Sequence, residues 1–245
     1  MTLTGGASTH APAVETQGLV RFFGRRRALD GVDVTLRAGE CLALFGANGA
    51  GKTTLLRVLA GLLKPGGGSA RIEGIPLPGG PAVRALVGLL SHQTMLYGAL
   101  SARENVVFSA RLHGIARAPD AADAALARMR VLEHADVPVR SLSRGLQQRV
   151  SIARATVHAP RVVLLDEPYT GLDESGAEAL TTALRALRDG GAALLLVTHN
   201  VAEGLALATH AAIMRAGRLL RHEAREALEP VSYATSYREL LTHGA

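Results

Sequence analysis

GANGAGKTT, residues 46–54, combines glycine, lysine and hydroxyl side chains at the spacing of a phosphate-binding loop. Gly46, Gly51, Lys52 and Thr53 satisfy GxxxxGK[ST], and Lys64 is the only other lysine in the chain. Glycines at this density let backbone N–H groups turn inward as a nest for phosphate oxygens, with Ala47, Asn48, Gly49 and Ala50 completing the turn. A helix starting at Lys52 and continuing through Thr53 and Thr54 adds its positive N-terminal end. Lys52 supplies a point charge for the β- and γ-phosphates, and the Thr53 hydroxyl is suited to Mg2+. A second group of the same chemistry lies in VVLLDEP, where an apolar strand delivers Asp166 and then Glu167 at its carboxyl end. Adjacent strand positions point to opposite sides. Asp166 is therefore expected toward the metal, and Glu167 toward an attacking water as general base.

The elements that must hold these groups are legible in the pattern of apolar residues. Residues 13–45 read as strands: AVETQGLVRFF, a turn at Gly24, then VDVTL and ECLALF running into the loop. TTLLRVLAGLL follows as a helix and stops at Lys64-Pro65-Gly66-Gly67-Gly68. Apolar spacing of three and four in SARENVVFSARLHG and PDAADAALARMRVLE predicts a helical insert over about 94–145. A helix from about Gly145 to Val157, the strand VVLLDE, a helix near Ser175–Arg188 and the strand AALLLVTH complete an alternating order. That alternation predicts an α/β fold with a mostly parallel sheet covered on both faces. HAAIMRAGRLLRHE predicts a hairpin turning at Ala216-Gly217. The expected organisation is a disordered tail over 1–12, one domain over 13–228 and a short extension over 229–245.

Composition narrows the class. The net charge of +6 is spread along the chain, with Arg25, Arg26 and Arg27 the one basic run. It reads as a solvated surface, and no nucleic-acid partner is expected. Cys41 is the single cysteine, which excludes an intrachain disulfide and a CxxC metal site. The first residues lack the basic and apolar regions of a signal peptide. The longest apolar run, AALLLV, is too short to cross a bilayer, so service at a membrane needs another chain to span it. Neither lysine follows an asparagine, so the guanine-reading NKxD motif is absent.

With these residues in order, the chain resembles the ATP-binding subunits of ABC transporters from about residue 13 to 220. SLSRGLQQRVSIARA is similar to that family's LSGGQ-type signature, with Arg144 and Leu146 as departures and Ser143 and Gly145 in place. Gln93 matches the Q-loop residue that touches metal or water. His199 matches the switch histidine at the γ-phosphate, Asp173 the D-loop, and Phe23 the aromatic that stacks on adenine. The resemblance implies a P-loop ATPase with an N-terminal antiparallel β subdomain and a helical subdomain bearing the signature. It also implies ATP and Mg2+ as ligands and a head-to-tail pair of cassettes in which Ser143 completes the neighbour's site. A separate multispanning permease would hold the pair at the cytoplasmic face of the membrane, with no direct contact to cargo. SHQTMLYGALSARENVVFSARLHG and DEPYTGLDESGAEAL look like haem exporters of cytochrome c maturation. Drug, polysaccharide or lipid exporters and a soluble regulatory ATPase are the alternatives. His113 in RLHG reads as a helix-end residue.

Overall fold

The computed structural model describes residues 11–91, 94–227 and 230–242. The expected tail therefore lies almost wholly outside the described residues. The hairpin opens with β1 (Val14–Phe23) and β2 (Arg26–Leu36), paired antiparallel around Gly24, whose φ of 58° only glycine adopts freely. Next come β3 (Cys41–Phe45), α1 (Lys52–Leu59), β4 (Gly67–Ile72), β5 (Ile75–Pro76), α2 (Gly80–Leu86) and β6 (Val87–Leu90). The insert holds α3 (Ala102–Leu112) and α4 (Ala118–Arg128) and leads into α5 (Arg144–Thr156). The remainder is β7 (Val162–Asp166), α6 (Glu174–Asp189), β8 (Ala193–Val197), α7 (Val201–Leu207), β9 (His210–Arg215), β10 (Arg218–Ala224) and α8 (Pro230–Thr242).

The strands form two sheets, ordered β2-β1-β4-β5 and β10-β9-β3-β8-β7-β6. The first is antiparallel; in the second β6, β7, β8, β3 and β9 run parallel and β10 pairs antiparallel at the edge. The expected α/β fold with an antiparallel β subdomain is the one observed. Period-two alternation explains why the central strands read as unbroken apolar runs. Val162 and Leu164 of β7 pack with α1 and the antiparallel sheet, whereas Val163 and Leu165 pack with α3, α4 and α5. All four are fully buried, each contributing roughly 2 kcal/mol of transfer free energy. A third cluster joins Ala43 and Phe45 of β3 to α7 and α8.

Local signals fix the helix starts. Ser101 and Glu104 make a reciprocal capping box at α3, while Asp173 and Asn200 cap α6 and α7. Two details depart from the sequence reading. α1 ends at Leu59, not at Leu63, because Gly61 turns left-handed and the Leu62 N–H returns to the Arg57 carbonyl. The glycine run at 66–68 does not only break a helix; it opens β4. Within the C-terminal extension, α8 packs Tyr233 and Tyr237 into the third cluster.

Candidate nucleotide site

The loop leaves β3 at Gly46 and enters α1 at Lys52, and its two outer glycines have no room to be anything else. A Cβ on Gly46 would lie 2.3 Å from the Met214 carbonyl oxygen, and one on Gly51 2.4 Å from that of Ala28. Neighbouring strands clamp the loop: Arg26 donates to the Gly49 carbonyl at 3.0 Å, and the Gly217 N–H to that of Ala50 at 2.8 Å. Lys52 folds back to donate to the carbonyls of Gly46 at 2.6 Å and Ala47 at 3.0 Å. Burial lowers its pKa, opposed by the charges of Glu167 and Asp166. The first turn of α1 has no side-chain cap, which leaves its N–H groups for an anion.

Carboxylates arrive from β7. Asp166 ends that strand, nearly buried, and its Oδ2 accepts from the Thr53 hydroxyl at 2.9 Å. Glu167 lies beyond the strand, which corrects the expectation of two successive strand positions. Its φ is 52°, its N–H donates to the Val197 carbonyl, and a left-handed turn rather than strand alternation separates the two acids. Its Oε2 sits 2.9 Å from Nδ1 of His199, whose ring is largely exposed just past β8.

A cavity of about 480 Å3 runs from Phe23 and Arg26 past Asn48, Gly49, Ala50, Gly51, Lys52, Thr53 and Thr54 to Asp166 and Glu167. Its size falls in the range of ligand pockets. Asn48 and Glu167 also wall a second cavity, of about 480 Å3, with Gly46, Ala47, His199 and Tyr237. Phe23 stands half exposed at the mouth of the first, with the Arg21 guanidinium 5.1 Å from its ring centroid. The donor set fits Mg2+: a hydroxyl and a carboxylate in contact beside an anion nest are hard oxygens, to be completed by phosphate and water. No group of three or more His, Cys, Asp or Glu able to hold a metal occurs among the described residues.

Ser143, Gly145 and Asp173 are not among the residues that line these two cavities. Ser143 is exposed at the N-terminus of α5, and its Oγ accepts from the Leu146 N–H at 3.3 Å. Gly145 backs onto the loop before α6, where a Cβ would meet the Gly171 carbonyl oxygen at 3.4 Å. Asp173 is exposed and accepts from the Gly176 N–H at 2.8 Å. Gln93 lies outside the described residues. His113 sits at the end of α3 as expected, stacked on His158 with ring centroids 3.7 Å apart.

Sequence reasoning missed three residues. Arg26 clamps the loop but sits within a run read only as charge. Gln148 is buried and donates to the Pro168 carbonyl at 3.0 Å, tying α5 to the carboxylate turn. Tyr237 walls the second cavity from a segment with no evident motif.

Comparison with known proteins agrees with this geometry. The family model described as ABC transporter matches residues 29–170. A daunorubicin resistance ATP-binding protein of Streptomyces coeruleorubidus is 36% identical over 211 residues, 85% of this chain and 67% of that protein. A spermidine/putrescine import ATP-binding protein of Pseudomonas aeruginosa is 36% identical over 220 residues, covering 89% and 61%. A Nod factor export ATP-binding protein of Neorhizobium galegae is 35% identical over 219 residues, covering 87% and 63%. The chain spans between 61% and 67% of the length of these relatives. Among solved structures, an ATP-binding subunit of an ABC transporter superposes with a TM-score of 0.81 at 27% identity, covering 95% of each chain. A dimeric ATP-binding cassette in a post-hydrolysis state with ADP and Pi gives 0.79 at 26%, covering 88% of this chain and 100% of that one. Loop, carboxylates, fold and relatives agree: the chain belongs to the ABC transporter family of ATP-hydrolysing cassettes.

Proposed function

We propose that two copies of this chain pair head to tail, hydrolyse ATP at two shared sites and drive a separate membrane permease. The observation that carries the reading is the division of groups just described: Lys52, Thr53, Asp166, Glu167 and His199 converge, while Ser143 and Asp173 stand exposed elsewhere, with Gly145 half-buried beside Ser143. In this reading the loop amides and Lys52 hold the phosphates, and Phe23 stacks on the base. Thr53 and Asp166, together with Gln93, hold Mg2+, which neutralises phosphate charge and helps to orient the terminal group. Glu167 takes the proton of the attacking water while His199 and Gln93 orient the terminal phosphoryl group. Ser143 and Gly145 of the opposite copy close on that group, so its removal releases the contact joining the two halves.

Docking at the cytoplasmic face of a membrane is supported by exposed apolar residues. Leu62 and Met95 line grooves beside the end of α1, and Met95, Tyr97, Phe108 and Leu112 line an adjoining groove on the helical insert. No described helix is long and apolar enough to cross a membrane, which leaves that task to a permease. For cargo we propose export, and within it haem export, on the sequence resemblance alone. Drug export is the second reading, favoured by the daunorubicin relative. Loss of mature c-type cytochromes on deleting the gene separates the two. For the chain itself, Glu167→Gln tests the chemistry: turnover falls at least about 100-fold while Mg-ATP binding persists. Retention of most of the ATPase activity would overturn the assignment of the base.

A further inference from the structure

The cavity that Glu167 shares with His199 has a wall from the far end of the chain. α8 presents Tyr233 and Tyr237, one turn apart, to the ring of Phe45, with centroids 5.7 and 5.9 Å away. Both tyrosines are buried. Phe45 is the last residue of β3, so α8 is seated at the root of the phosphate loop. That seat is tight: a Cβ on Gly204 of α7 would come within 2.5 Å of the Phe45 ring. Arg215 of β9 secures the other end of α8 by donating to the Leu240 carbonyl at 3.1 Å.

The two tyrosines differ at their hydroxyls. That of Tyr233 is buried without a hydrogen-bond partner and serves packing. Tyr237 lines the cavity beside Gly46, whose backbone is close enough to act on its hydroxyl. Burial and the charge of Glu167 keep it protonated, so its O–H remains to donate into the cavity. Gly46 thus has Tyr237 beside it in the cavity wall and is packed against the Met214 carbonyl, which already excludes a Cβ.

We propose that Tyr237 is a positioning residue of the ATPase site, fixing the root of the phosphate loop through Gly46, and that docking of α8 is thereby required for full turnover. The inference rests on the hydrolysis proposed above. Tyr237→Phe keeps the ring on Phe45 and removes only the hydroxyl; Tyr233→Phe is the packing control. In the full-length chain, Tyr237→Phe is expected to lower kcat about five-fold, the scale of one hydrogen bond, with KM for Mg-ATP within about two-fold. Tyr233→Phe keeps the kcat of the parent chain. Hydrogen exchange reads the contact without relying on turnover: protection of peptides covering residues 44–52 falls in Tyr237→Phe and not in Tyr233→Phe. An unchanged kcat in Tyr237→Phe, equal losses in both variants, or unchanged exchange at 44–52 would overturn the proposal. A parent chain without ATPase activity would overturn the hydrolysis reading instead, and the exchange result would still decide the Gly46 contact.

Discussion

The phosphate-loop half and the signature half of the proposed site are built in opposite ways. In the first, β3, α1, β7 and the end of β8 converge, and their polar groups satisfy one another: Lys52 on Gly46 and Ala47, Thr53 on Asp166, Glu167 on His199. In the second, Ser143 and Asp173 satisfy the N–H groups of their own helices and remain exposed. The first half is assembled by the fold. The second is stable as it stands and keeps capacity for another molecule, because a serine that accepts one cap bond still has its hydroxyl proton to donate.

Substitution can break or sharpen that contrast. Ser143→Ala should lower turnover at least about ten-fold in the paired state, while Mg-ATP affinity of the isolated chain stays within about two-fold. Loss of the cap costs about 1 kcal/mol of stability, measurable by urea unfolding. Equal losses of single-chain binding and turnover would erase the distinction between the halves. Phe23→Ala acts on the first half alone: ATP binding should weaken about ten-fold by calorimetry, as expected for a lost stacking surface, with kcat at saturation little changed.

The smallest effect belongs to neither half. Burial pushes His158 down to about 4 from an ordinary 6.5, aided by neighbouring His113 and opposed by its bond to the Val87 carbonyl. The unfolded chain therefore binds a proton that the folded chain refuses. Stability from this residue is complete above pH 6.5 and is lost as pH falls toward 4, amounting to about 1 kcal/mol between pH 7.5 and 5.5. His158→Gln should flatten that slope in urea titrations without moving turnover at neutral pH.

Much of this was readable from residues alone. The loop announces itself because anion binding needs glycines, a lysine and a hydroxyl at fixed spacing, and the parallel strands do so because both faces are buried. Glu167 was found by type but not by geometry, since nothing in DEP marks a left-handed residue. β4 and β5 were hidden because the glycines of 66–68 also signal a break. α8 carries Pro230 and tyrosines four apart, an amphipathic hint whose partner, Phe45, is distant in sequence. Arg26 and Gln148 act through backbone carbonyls, which no side-chain motif reveals.

The central claim is that each site is completed by a second copy, and cysteine crosslinking tests it most directly. Cys41 is buried, its thiol pushed up to about 12 by burial, so it stays silent to oxidants at neutral pH. A Glu167→Gln chain carrying Ser143→Cys and Ala47→Cys is predicted to form an intermolecular disulfide that requires both cysteines and increases with Mg-ATP. An oxidised sample that stays monomeric in Mg-ATP, while still binding the nucleotide, would contradict the account.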